Sequence, residues 1–129
     1  SDTDGFDAAL VPAVAREWSA SSPVLFFEFD PGLTRKVGND DPHRLWEELA
    51  SCGYTRFAIW DNTGDPLGRL TIDEVATHAA ALEPRPVELG YQFWDVAACR
   101  DDDDAAIAAL DQTMPESFDP RGHRINRAQ

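Results

Sequence analysis

The chain has 129 residues, 43% of them hydrophobic, which suits one domain with a sizeable core. Lys and Arg total 11 against 24 Asp and Glu, a formal net charge of −13. So acidic a surface repels phosphate backbones and anionic lipid, which argues against nucleic acid and membranes as partners, and no apolar run reaches membrane-spanning length.

A first helix is expected over about residues 7–20, where Phe6, Leu10, Val14 and Trp18 recur at helical spacing. Pro12 either comes after a short first turn or opens the regular helix. Next comes PVLFFEFDP. Val24–Phe27 are apolar without alternation, which predicts a strand buried on both faces, as in a parallel sheet under helices. Polarity returns at Glu28, Asp30 and Pro31. DDPHRLWEELASCG reads as a helix capped by Asp41, with Pro42 in its first position, Gly53 as its stop and Leu45, Trp46 and Leu49 as its apolar face. YTRFAIWDNTGD predicts a strand and a turn.

In LTIDEVATHAAAL, Thr71 and Glu74 form a capping box, with Leu70 and Val75 at the staple positions. PVELGYQFWDVAACR reads as one long strand in which Val87, Leu89, Tyr91 and Phe93 alternate with polar or small residues. DDDDAAIAALDQ is a final helix, with Asp101–Asp104 favoured by the positive end of its dipole rather than arranged as a metal clamp. From Pro115 the periodicity is lost, and Arg121, His123, Arg124 and Arg127 belong to a basic tail expected to be flexible.

The alternation of helices and strands argues for a layered α/β sheet. Two parts of a free-standing α/β domain are missing: a strand before the first helix and a glycine-rich loop such as GxGxxG. Cys52 and Cys99 have no CxxC spacing and read as free, packed thiols of a reducing cytoplasm. His43 and His78 fall on helix surfaces, and Trp46, Trp60, Phe93 and Trp94 suit the core.

The opening SDTDGFD admits three readings. As an EF-hand loop with Gly5 at position 6, it would place Val11 where the bidentate Glu belongs, so calcium fits poorly. As a helix start, it would use Asp4 or Asp7 to cap the first helix. As the end of a strand, its acids would stand on the rim of a sheet.

The third reading gains from a resemblance. DTDGF, a helix, PVLFFEFDP, a helix ending in CGY, and a further strand resemble the C-terminal half of the FkbM-type S-adenosylmethionine-dependent methyltransferases. Asp2, Asp4, Gly5, Phe6 and Asp7 match a motif of the form K-[I/S]-D-x-[E/D]-G-[F/A/Y]-[E/D]. Pro23–Phe29 match P-[V/I]-L-hydrophobic-[F/V]-E-[F/Y/L], and YQFWDVAACR looks like the yfDvla strand that closes such domains. The resemblance covers about residues 1–110.

It implies a partial Rossmann-like α/β sheet of three main strands with flanking helices over residues 1–114, with the tail 115–129 after it. It implies Asp2, Asp4 and Glu28 as catalytic residues, Asp2 and Gly5 beside the cofactor, and no metal ligands. The family's glycine-rich first strand and ribose-binding acid precede the matched motifs. S-adenosylmethionine therefore belongs to the parent fold and is not expected on this chain alone. The chain is then the C-terminal fragment of a cytoplasmic O-methyltransferase whose substrate is a sugar or natural-product hydroxyl, inactive by itself. For Glu28 the competing expectation is a strand-end ion pair with Arg35 or Lys36. For the whole chain it is a stand-alone acidic α/β binding or assembly module, a homodimer through an open sheet edge beside Val24–Phe27.

Overall fold

Four strands and five α-helices alternate along residues 7–18, 20–21, 23–84 and 92–122, the part of the chain described in the computed structural model. They are α1 (Asp7–Glu17), β1 (Leu25–Phe29), α2 (Pro31–Lys36), α3 (Arg44–Ser51), β2 (Tyr54–Asp61), β3 (Pro66–Thr71), α4 (Ile72–His78), β4 (Trp94–Arg100) and α5 (Asp104–Thr113). A 3₁₀ turn, Ala79–Leu82, extends α4.

The strands form one sheet in the order β1-β4-β2-β3, and every hydrogen-bonded pair is antiparallel. Because β4 runs against both β1 and β2, those two run in the same direction. The helices α2 and α3 make the crossover between them. The architecture is thus mixed α/β, but it is not an all-parallel sheet, and β1 is an edge strand rather than a central one. Its residues alternate: Leu25, Phe27 and Phe29 are buried, while Phe26 is 63% exposed. An apolar run does not reveal which of its faces will be covered, and here only one is.

On the covered face, Phe27, Val96 and Ile59 lie in one row across the sheet, and Leu25, Ala98, Phe57 and Leu70 in the next. Val11 and Ala15 of α1, Leu45, Trp46 and Leu49 of α3, and Val75 of α4 pack onto these rows. Trp46 anchors the layer, with ring centroids 4.9 Å from Phe29 and 5.2 Å from Phe57. The second face is covered in part by α5 and Met114, which pack on Ala58 and Ala97.

The helix starts are set by local chemistry. Thr71 and Glu74 form the expected capping box on α4, and the Asp103 carboxylate accepts the Ala106 N–H at the start of α5. The α3 expectation shifts: Asp41–His43 form a turn, and His43 is the N-cap without a side-chain hydrogen bond. On α1 the buried positions are Asp7, Ala8, Val11, Pro12 and Ala15, whereas Leu10 and Trp18 of the expected apolar stripe are exposed. The stripe lies on the flank of the helix because small residues let α1 approach the sheet on the neighbouring face. The strands also differ from expectation. PLGRLT is a strand in its own right, paired with β2, and β4 begins at Trp94; residues 85–91 lie outside the described residues.

The described part of the tail, residues 115–122, packs along β3. The Asp119 N–H donates to the Leu67 carbonyl at 2.8 Å, and Phe118 lies 4.9 Å from His78. Gly68 makes this contact possible: φ is +132°, and a Cβ there would stand 2.3 Å from the Ser117 carbonyl oxygen.

Candidate functional site at the carboxyl end of β1

In an open α/β sheet the ligand end is where parallel strands finish and their helices begin. For β1 and β2 that end holds Glu28, Phe29 and Asp30 on one strand and Asp61 on the other. Helix α1 begins there too. Asp7, 3% exposed, takes the Glu28 backbone N–H on its Oδ2 at 3.1 Å. That N–H points away from β4, so Glu28 and its β4 partner Asp95 form a pair that does not exchange backbone hydrogen bonds, and their side chains share one face at close range. Trp60 of β2 is the next residue in the row.

The same face holds a shallow groove of about 480 Å³ lined by Phe26, Trp60, Gly64 and Asp95, on the half of the sheet away from the α5 cluster at Ala58 and Ala97. One residue past the end of β1, Asp30 caps α2 by accepting the Leu33 N–H on Oδ1 at 2.9 Å. It is 5% exposed, and its Oδ2 is buried without a hydrogen-bond partner among the described residues.

Behind this rim an ionic network joins three segments. Arg35 of α2 donates two hydrogen bonds to Glu83, at 2.8 and 2.5 Å, and His43 Nε2 lies 2.8 Å from Glu83 Oε1. Trp46 Nε1–H donates to His43 Nδ1 at 3.3 Å. An indole nitrogen only donates, so Nδ1 is the acceptor and Nε2 carries the proton given to Glu83. The Arg35 guanidinium, and then His43, hold the Glu83 carboxyl below the usual carboxylate range against the opposing effect of burial. Both ring nitrogens are engaged, so His43 ties helices together and is not placed as an acid or base.

Of the residues implied by the resemblance, Glu28 stands at this rim, while Asp2, Asp4 and Gly5 lie outside the described residues. Arg35 is committed to Glu83, which leaves it unavailable as the ion-pair partner expected for Glu28. Asp95 joins the site without having been expected there, whereas Asp30 was expected beside Glu28 as a strand-end acid and Asp7 as part of the first motif. The signal for Asp95 was present, since it matches the acid of the yfDvla strand. The signal for Asp30 was weaker: an acid before Pro at a strand end suggests a cap and says nothing about a buried second oxygen.

The described glycines do not make a nucleotide loop. Gly53 stands just past α3, Gly64 turns β2 into β3, and Gly68 lies under the tail. Among the described residues, no group of three or more His, Cys, Asp or Glu could hold a metal ion, and no helix is long and apolar enough to cross a membrane. No protein family, curated protein or solved structure matches the chain.

Proposed function

We propose that the chain is the C-terminal portion of an S-adenosylmethionine-dependent O-methyltransferase of the Rossmann-like kind that its motifs resemble, supplying the acceptor side of the site for a sugar or natural-product hydroxyl. One observation carries this reading: the Asp7–Glu28 hydrogen bond brings the end of the DTDGFD motif to the end of the LFFEF strand. The common direction of β1 and β2, with the closing strand inserted between them, supports it as well. At this rim one carboxylate of the Glu28–Asp95 pair orients the acceptor hydroxyl and takes its proton as the oxygen is methylated, and the other holds a neighbouring hydroxyl. Asp2, Asp4 and Gly5 stay with the donor side by resemblance alone. By the resemblance, the methyl donor is held by parts of the fold that come before the matched motifs.

The test is transfer of labelled methyl groups to monosaccharide hydroxyls by the longer polypeptide that this reading requires. Glu28→Gln is expected to lower kcat about a hundredfold with little change in KM. A Glu28→Gln, Asp95→Asn double variant that keeps the full rate would remove the reading.

A second reading, an acidic binding or assembly module, is favoured by one feature. Of the five large apolar side chains exposed among the described residues, Leu10, Trp18, Val24 and Phe26 lie on α1, β1 and the connection between them. Exposed apolar side chains at these positions suit burial against a second copy or against the rest of a larger fold.

A further inference from the structure

A second cavity lies at the opposite end of the sheet from the acidic rim, between the second face and α5. It encloses about 260 Å³. Its origin is poor packing: α5 has no fully buried residue, so Ile107 and Leu110 roof the sheet without filling the space beneath them. Cys99 lies in its floor, with burial pushing the thiol up, so the floor is neutral and unreactive.

The rim is charged and mixed. Arg56 stands two residues before Ala58, which pairs with Arg69, so the two guanidiniums rise from one face as diagonal neighbours. Arg56 uses Nε on Asp101, at 2.9 Å. Arg69 uses Nε on the Pro115 carbonyl and Nη1 on Asp111. Each guanidinium has five N–H donors, so both keep N–H groups without a protein partner among the described residues. Against them stand Asp111, bound to Arg69; Glu74, bound in the α4 cap; and Glu116, which has no ion pair among the described residues. With Asp101 on Arg56 included, two cations stand against four anions, which does not favour a simple anion. They favour a ligand that carries both charges next to an apolar body.

The geometry points to this cavity as a binding site for a small apolar α-amino acid: carboxylate on Arg56 and Arg69, ammonium towards Glu116, side chain against Ile107 and Leu110. The volume equals that of roughly nine liquid waters, enough to admit an amino acid of leucine's size with room to spare. The site is separate from the proposed methyl-acceptor rim and does not depend on it.

The test uses the 129-residue chain, titrated with L-leucine and monitored by amide NMR shifts at Cys99, Arg69 and Leu110. Saturable shifts in the millimolar range are expected. Isocaproate, lacking the ammonium, and isoamylamine, lacking the carboxylate, should each bind about tenfold more weakly or worse. Arg56→Gln, at a half-exposed side chain outside the core, should weaken leucine by a similar factor with the far-ultraviolet spectrum unchanged. No shifts at about 20 mM leucine, equal binding of isocaproate, or unaltered binding by Arg56→Gln would each overturn the proposal.

Discussion

Glu83 shows how one side chain couples parts of the chain distant in sequence. Its carboxylate receives Arg35 from α2 and His43 from the start of α3, and the Arg35 hydrogen bonds are the main reason its carboxyl is depressed. A carboxyl with a lowered folded pKa contributes stability above its unfolded value, near 4.5, and that contribution is lost as pH falls through the lower folded value. The side chains are partly exposed and water screens them, so the contribution is about 1 kcal/mol or less. Urea melts should therefore show the stability gap between wild type and Glu83→Gln narrowing as pH falls below about 4.5; a gap that widens on acidification would contradict this role. None of this network was legible in the sequence, where Arg35 reads as a partner for Glu28. Sequence spacing ranks near neighbours, whereas the crossover brings Glu83 to Arg35 over 48 residues. Glu28 was legible, because an acid ending an apolar run is conspicuous. Asp95 was legible as the acid of the closing strand, but its place opposite Glu28 was not, because register is a property of two strands together.

At the scale of elements, the signals that survived are local ones. The Thr71–Glu74 box, the start of the last helix at its run of aspartates and the Leu45–Trp46–Leu49 face need only their own neighbours in sequence, and all three are present. What misled is the surroundings of β1 and α1. Apolar density predicts burial, but an edge position leaves Phe26 outside, and the small residues of α1 outcompete Leu10 and Trp18 for the sheet because they permit closer approach. The strap 115–122 was illegible for another reason: its docking depends on Gly68, a residue without a side chain on a different element. Gly68→Ala combines an unfavourable φ with a collision against the Ser117 and Phe118 backbone, and should cost about 3 kcal/mol. Gly38→Ala also has a positive φ, but nothing lies within 4 Å of its Cβ; it should cost about 1 kcal/mol. Equal denaturation midpoints for the two variants would refute the idea that the strap is held by close backbone contact.

For the molecule as a whole, the α/β class was readable from alternation, but the sheet's directions were not: a buried-looking run predicts a parallel neighbour, and the hydrogen-bonded pairs are all antiparallel. The parallel relation survives one strand further out, between β1 and β2. The exposed apolar side chains Leu10, Trp18, Val24 and Phe26 separate the two functional readings. As an assembly module, the chain should be a dimer by light scattering at micromolar concentration and a folded monomer after Trp18→Ser with Phe26→Ser. As the acceptor half of a methyltransferase, it has no specific need to pair with itself, and the same double substitution should instead weaken the longer enzyme.

The central claim is that these residues supply an acceptor side and leave the methyl donor to other parts of the protein. The most direct measurement is calorimetric titration of S-adenosylmethionine into the 129-residue chain and into the longer polypeptide that carries the upstream half. The account predicts no binding to the chain alone and micromolar binding to the longer form. Micromolar binding to the chain alone would mean that these residues rebuild the donor pocket, and silence from the longer form would mean that the resemblance to methyltransferases does not extend to function; either result would contradict the account.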